Sequence, residues 1–245
     1  MRQGILSIKK TFIFTVLFLF IGVEYANSQV LISLIFGDKL NSDKIEFGLD
    51  GGLAISDING IDHAKARQNF NLGFYFDFKL KPERLKLHTG VIVKSPVGAK
   101  DISTYSIGDQ EIDSLFEDGN VSRKLNYFYI PVAVKYNFVD DFFFEIGPQI
   151  GLLYKARDTF ESETVNGQDL ELENDVRNEY KTFDLGLTAG LGYKLMKGTG
   201  INLGIRYYSG FLNIAKNDTM GNQRNQVFYF FAGIPIGAGK KSKQN

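Results

Sequence analysis

The sequence predicts an all-β protein, an eight-stranded antiparallel up-and-down transmembrane β-barrel, and three observations predict it. Between Ile45 and Gly237, eight stretches alternate apolar residues with polar or small ones, the period of strands whose side chains point to opposite faces. The connections between these stretches alternate short and long, as in bacterial outer-membrane barrels. The chain also opens with an export signal.

Residues 1–28 read as that signal peptide. Arg2, Lys9 and Lys10 form a basic start, Thr11 to Val23 an apolar stretch, and Ala26-Asn27-Ser28 a small-x-small site with cleavage before Gln29. As an anchor the stretch is too short, and no later run reaches the roughly 18 apolar residues of a spanning helix. Residues 29–44 are expected to form a periplasmic N-terminal segment. Val30 to Phe36 within it fits a short helix, an extension of the first strand or a plug, flanked by turn chemistry at Gly37-Asp38 and Asn41-Ser42-Asp43.

The barrel is expected over 45–238. Its clearest strand is Phe70 to Leu80, where Phe70, Leu72, Phe74, Phe76, Phe78 and Leu80 share one parity and Asn71, Gly73, Tyr75, Asp77 and Lys79 the other. The same reading holds for Phe47 to Ser56, Leu85 to Lys94, Asn126 to Phe138, Phe142 to Tyr154, Phe183 to Leu195, Ile201 to Gly210 and Val227 to Ile236. Each has about the ten residues that a tilted strand needs to cross a bilayer. The short turns are Lys81-Pro82-Glu83-Arg84, Val139-Asp140-Asp141 and Met196 to Gly200; the longest loops run from about Ser95 to Lys124 and from about Lys155 to Tyr180. The short rim is expected in the periplasm, and an even strand number places both termini there. Residues 239–245 are read as a basic periplasmic tail, so the chain departs from barrels that end on an aromatic residue.

Composition removes several function classes. With 28 basic and 28 acidic residues and a pI near 6.8, the chain lacks the basic face that phosphate-backbone binding requires, so nucleic acid is not an expected partner. It has no cysteine, hence no disulfide framework and no thiol chemistry. No cofactor or metal is expected.

An eight-stranded barrel is only wide enough to be filled by its own side chains, which argues for a filled lumen and against a diffusion pore. Inward parity collects Asp50, Asp77, Lys79, Lys86, His88, Lys94, Lys135, Glu145, Asp184 and Arg206, and charges there must pair. Centring the turns on Asp140 and between Pro82 and Glu83 sets Lys135 opposite Glu145 and Asp77 opposite His88, with Cβ atoms about 5 Å apart. Asp77, His88, Lys135, Glu145, Asp184 and Arg206 are therefore expected to form a structural interior polar network. A catalytic or gating carboxylate and imidazole is the sharper alternative. No serine nucleophile groups with His88 or with His63, which belongs to the first loop, so no enzyme is expected. A bulge at Pro131, Pro148 or Pro235 would flip the parity beyond it.

Outward parity gathers Phe128, Phe142, Tyr154, Tyr193 and Tyr207 near strand ends, as an interfacial aromatic belt requires. A soluble lipocalin-like barrel would turn the apolar face inward; the loop asymmetry and the signal peptide favour the membrane. Asp109-Gln110-Glu111-Ile112-Asp113 begins like a calcium loop, but Ser114 and Asn120 stand where glycine and a final acid are needed. The acidic run of loop three, Asp158 to Glu179, reads as a solvated mobile loop, with divalent-cation bridging to lipopolysaccharide as the weaker alternative. Gly190-Leu191-Gly192 lacks the third glycine of a dinucleotide site and is barrel wall.

Four segments in order carry a family resemblance: Tyr129 to Phe138 (YIPVAVKYNF), Glu145 to Leu153 (EIGPQIGLL), Asp184 to Tyr193 (DLGLTAGLGY) and Arg206 to Ile214 (RYYSGFLNI). Together they resemble the PorT-like outer-membrane β-barrel family of Gram-negative bacteria, over residues 45 to 237. The resemblance implies an eight-stranded barrel in the outer membrane; the founding role in protein secretion is not carried over. The expected role is structural or surface-binding through long extracellular loops, with a component of a secretion or transport assembly second and an outer-membrane enzyme third. Expected partners are outer-membrane lipid and lipopolysaccharide, the barrel assembly machinery during insertion, and secretion partners on the second reading.

Overall fold

The computed structural model describes residues 40–81, 84–139, 141–163, 169–198 and 200–236. The signal peptide, most of the N-terminal segment, the basic tail and the turn centres at Pro82, Glu83 and Asp140 lie outside the described residues. Strands β1 (Ile45–Asn59), β2 (Lys65–Lys79), β3 (Leu85–Ser103), β4 (Asn120–Val139), β5 (Phe142–Glu163), β7 (Phe183–Lys194), β8 (Asn202–Gly210) and β9 (Arg224–Pro235) follow one another antiparallel, and β9 pairs back onto β1. The result is a closed ring of eight. Closure leaves the ring without an edge, which is what lets strands cross an apolar medium with every backbone group paired.

The strands are longer than the sequence reading allowed. β3, β4 and β5 have 19, 20 and 22 residues, so the second loop shrinks to 104–119. What were expected to be loops from Ser95 and Lys155 are wall. Loop three also contains a ninth strand, β6 (Asp169–Asp175), paired with β5 from Arg157↔Asp175 to Glu163↔Asp169. Its sequence, DLELEND, alternates leucine with acid. The acid count suggested a solvated loop, but the period of two is that of a strand with Leu170 and Leu172 packed on a core.

The ladder runs through Pro131↔Gln149, Pro148↔Leu187 and Gly48↔Pro235 without a register shift. The bulges lie elsewhere. One falls between Ile92 and Ser95 of β3 and reverses its parity, so Ser95, Val97 and Ala99 are buried while Lys94 is exposed. Lys94, read as an interior residue, stands on the outer wall with its ammonium 5.9 Å from the Phe70 ring centre.

Two zones follow along the barrel axis. In the zone nearer the short turns, Leu53, Phe70, Val132, Val134, Phe138, Phe142, Phe144, Ile146, Leu191, Ile205 and Phe230 are exposed. Phe142 packs on Tyr193 with ring centres 4.7 Å apart at one end of this band, and Phe128 stacks on Tyr154 at 4.5 Å at the other. From Phe128 to Phe138 the strand climbs about 33 Å, or about 25 Å of height at a typical barrel tilt, the thickness of a lipid-facing band. Beyond the Phe128–Tyr154 stack the pattern inverts. Ile58, Val97, Ile102, Val121, Leu125, Phe160 and Ile214 are buried inside, and Ser122, Lys124 and Thr159 occupy the other parity.

Candidate functional site

Within the banded zone the lumen holds a continuous ionic lattice. His88 Nδ1 lies 2.6 Å from Asp77 Oδ1, and the Lys135 ammonium donates to Asp77 Oδ2 at 3.0 Å. Arg206 Nε donates to Glu145 Oε1 at 2.5 Å, and its other nitrogens lie 3.3 Å from Asp50 Oδ2 and from His88 Nε2. Toward the short-turn end, Lys194 pairs with Glu46, and Lys86 stands across from Lys135 in register. Four carboxylates thus face five bases, and such pairing is how charges survive desolvation. The cations also lie on aromatic faces, Lys135 at 4.0 Å from the Phe143 centroid and Arg206 at 4.5 Å from that of Phe231.

The register sets Lys135 across from Glu145 and Asp77 across from His88. Asp77 and His88 do bond across it, but Lys135 and Glu145 do not bond each other: Lys135 bonds Asp77, and Glu145 bonds Arg206. Lys135 and Arg206 each reach past one strand to the next. For Arg206 the reason is Gly190, which faces both Glu145 and Arg206 from β7. A Cβ there would sit 2.8 Å from Ile205 O and 3.1 Å from Glu145 Oε1, so only glycine leaves the bridge its room. Asp184 is not in this lattice. It sits one storey up among tyrosines, accepting from the Tyr129 hydroxyl at 3.1 Å and Asn225 Nδ2 at 2.8 Å.

Both ring nitrogens of His88 are engaged. Guanidinium only donates, so Nε2 accepts from Arg206 and Nδ1 carries the proton toward Asp77. A general base needs a nitrogen turned to a substrate hydroxyl; His88, 3% exposed and held on both sides, does not offer one. His63 lies exposed in the connection after β1.

Sequence reasoning assigned Arg123 and Asp158 to loops, yet they form the buried keystone of the upper zone. Arg123 grips Asp158 with two nitrogens, at 2.8 and 2.5 Å, and donates to the Tyr180 hydroxyl at 2.6 Å. Tyr180 in turn donates to Gln223 Oε1 at 2.9 Å, and the Tyr105 hydroxyl to Asp158 Oδ2 at 2.8 Å. Burial first, and then the Asp158 charge, push the Tyr105 hydroxyl above its usual pKa. Five segments meet on this one pair: β4, β5, the connections before β4 and after β8, and the stretch preceding β7. The signal was present, since Val121, Arg123 and Leu125 continue the inward parity of β4.

The 104–119 connection carries a short helix, α1 (Gln110–Leu115), capped by Asp109, which accepts from the amides of Glu111 and Ile112. Beside it opens a cleft of about 380 Å³, lined by Tyr105, Ile107, Phe116, Phe160 and Leu172 with Asp113 and Glu117 at its rim. The acids that began like a calcium loop are caps and loop ties here: Asp113 accepts from Ser106 Oγ at 2.5 Å and the Ile107 amide at 2.9 Å.

An edgeless ring, an apolar belt outside and charges inside describe a barrel seated in lipid, and the sequence profile of the outer membrane protein beta-barrel domain matches residues 27–216. The chain belongs to that family. Among solved structures, this outer-membrane barrel is similar to Ail, the attachment invasion locus protein of Yersinia pestis, crystallised with the heparin analogue sucrose octasulfate. The two share 12% identity with a TM-score of 0.43, over 79% of this chain and 99% of Ail. Neisserial surface protein A gives 12% identity and a TM-score of 0.42, over 78% of this chain and 96% of its own. No curated protein sequence matches the chain.

Proposed function

We propose that this outer-membrane barrel is a non-enzymatic surface protein whose loop end faces the exterior and binds there, with both termini in the periplasm. One observation carries the reading. β5 runs nine residues past Tyr154, about 30 Å along the strand, and β3, β4 and β6 rise with it into a head that has its own core. Ring closure needs none of this. The head presents Asp109, Glu111, Asp113, Glu117 and Asp118 from a connection with no lysine or arginine, next to Asp169, Glu171, Glu173 and Asp175 of β6. Such a surface favours cationic partners. Below it the lumen is filled, and planar bilayers containing the protein are expected to pass no porin-sized current.

The chain has no cysteine, so a single introduced thiol reports cleanly. Ser114→Cys should react with a membrane-impermeant maleimide on intact cells, and Lys81→Cys at a short turn should react only after lysis. The opposite pattern would overturn the orientation. A photo-crosslinker carried on the same Ser114→Cys thiol should capture a surface partner.

A second reading, a component of a secretion or transport assembly, draws on the PorT-like resemblance and on β6. Among the described residues, β6 pairs only with β5, and its other edge could accept a strand from another protein. Co-purification of a stable complex that dissociates when Glu171 is replaced by proline would favour it.

A further inference from the structure

We propose that the outer wall of the barrel, just above its lipid-facing band, is a binding site for phosphate groups of anionic lipid headgroups, built by Arg67, Lys94, Lys124 and Lys155. It rests on the membrane reading and is independent of what the loop head binds.

The four cations come from β2, β3, β4 and β5, neighbours in the ring. Lys94 lies over Phe70, which is 49% exposed, and Lys155 follows Tyr154 of the Phe128–Tyr154 stack directly. Lys155 pairs with Asn126, two residues from Lys124. Arg67 crosses over β3, where Ser56 of β1 bonds Gly98 of β3 directly, and donates to Ser122 Oγ on the outer face of β4 at 2.6 Å. The row therefore sits where the aromatic boundary ends and headgroups begin. Long lysine stems can lie on the apolar wall there while their ammonium groups reach outward.

Among the described residues, Lys94, Lys124 and Lys155 form no ion pair. Glu173, the acid near Lys124, is held by Arg157, and Glu161 lies near Arg67. Burial, and then Arg67, Lys94 and Lys155, lower the Lys124 pKa. A half-buried cation surrounded by cations is stabilised by an anion brought from outside the protein. Four strands about 4.8 Å apart span about 14 Å, room for a headgroup with two phosphates. The source is lipid rather than solution, because the row lies at headgroup height and the acidic head above it repels soluble polyanions.

The test is native mass spectrometry of the full mature barrel in detergent, titrated with diphosphoryl lipid A. Each Lys→Gln change at 94, 124 or 155 should weaken binding about fivefold, the effect of roughly one lysine at an anionic surface. The triple variant should lose tenfold or more, and Lys100→Gln and Lys216→Gln at the loop end should lose nothing. Unchanged binding by the triple variant overturns the site. So does inositol hexakisphosphate, a soluble polyanion, if it binds as tightly with the same lysine dependence. Should the triple variant fail to assemble, Lys124→Gln alone carries the test. Failure of the membrane reading would be seen separately, as loss of the parent from the outer-membrane fraction.

Discussion

Below the Phe128–Tyr154 stack the barrel keeps its ions inside and its apolar side chains outside; above it the same strands do the reverse. β4 passes through both zones on one unbroken inward parity, Val121, Arg123, Leu125, Tyr127, Tyr129, Ala133 and Lys135, so the backbone does not distinguish them. The surroundings do. Where the outer face meets hydrocarbon, polar groups are driven inside and must pair there. Where it meets water, apolar groups are buried and polar ones are released. Each zone nevertheless keeps one buried arginine on a carboxylate, Arg206 on Glu145 and Arg123 on Asp158, both at 2.5 Å. That pair of bridges makes the comparison testable.

The largest effect is expected from Arg206→Met. It leaves Glu145 and Asp50 as buried charges in a zone that cannot hydrate them from outside, at a cost of about 3 to 5 kcal/mol. Unfolding by urea from lipid vesicles should show the loss, and the heat-dependent shift of gel mobility should disappear in part of the population. A variant as stable as the parent would mean that the lattice does not hold the banded zone together.

Arg123→Met removes a bridge of the same chemistry but should cost the molecule differently. Asp158 is left unpaired at a level where water can enter once the loops part, so the penalty is about 1 to 3 kcal/mol and local. The ring should stay closed with its gel shift intact, while protease on intact cells cuts within 104–119 and 164–182. If Arg123→Met opens the barrel itself, the two zones are one cooperative unit.

How far each zone was legible follows from the same physics. The banded strands were readable because lipid on one face and a narrow lumen on the other enforce alternation residue by residue, and the turns fixed which residues stand opposite. Which ion bonds which was readable only for Asp77 and His88. Turn symmetry reports adjacent strands, whereas Arg206 reaches Glu145 past Gly190 and Lys135 reaches Asp77 past β3. The head was under-read because its alternation is written in acids: Leu170 and Leu172 among Asp169, Glu171 and Glu173 give the period of a strand with the composition of a loop. Lys94 was misplaced because nothing in Val91-Ile92-Val93-Lys94-Ser95 announces a bulge.

A smaller effect separates adjacency from contact inside the lattice. Glu145→Gln and Arg206→Met should be non-additive by about 1 to 3 kcal/mol, as residues in contact are. Glu145→Gln and Lys135→Met, opposed in register but hydrogen-bonded elsewhere in the same lattice, should also be non-additive, but by less. The reverse ranking in urea titrations would restore the pairing that turn symmetry alone suggests.

The smallest expected effect lies at the tip of the head, where acid meets water instead of arginine. The Asp113 carboxylate accepts from Ser106 first and then from the Ile107 amide, and both bonds hold its pKa below the usual carboxylate range. A depressed folded-state pKa contributes stability that is complete above the unfolded value, about 3.9, and is lost as pH falls through the lower folded value. Between pH 7 and 5 the connection should therefore be indifferent to acid. Below about pH 4 the Ile107 amide should lose protection from hydrogen exchange, while amides of the banded zone, for instance Ile146, keep theirs. Asp113→Asn should remove the pH step without changing the fold of the ring. If Ile107 and Ile146 lose protection together, acid acts on the barrel as a whole and the head has no local equilibrium of its own.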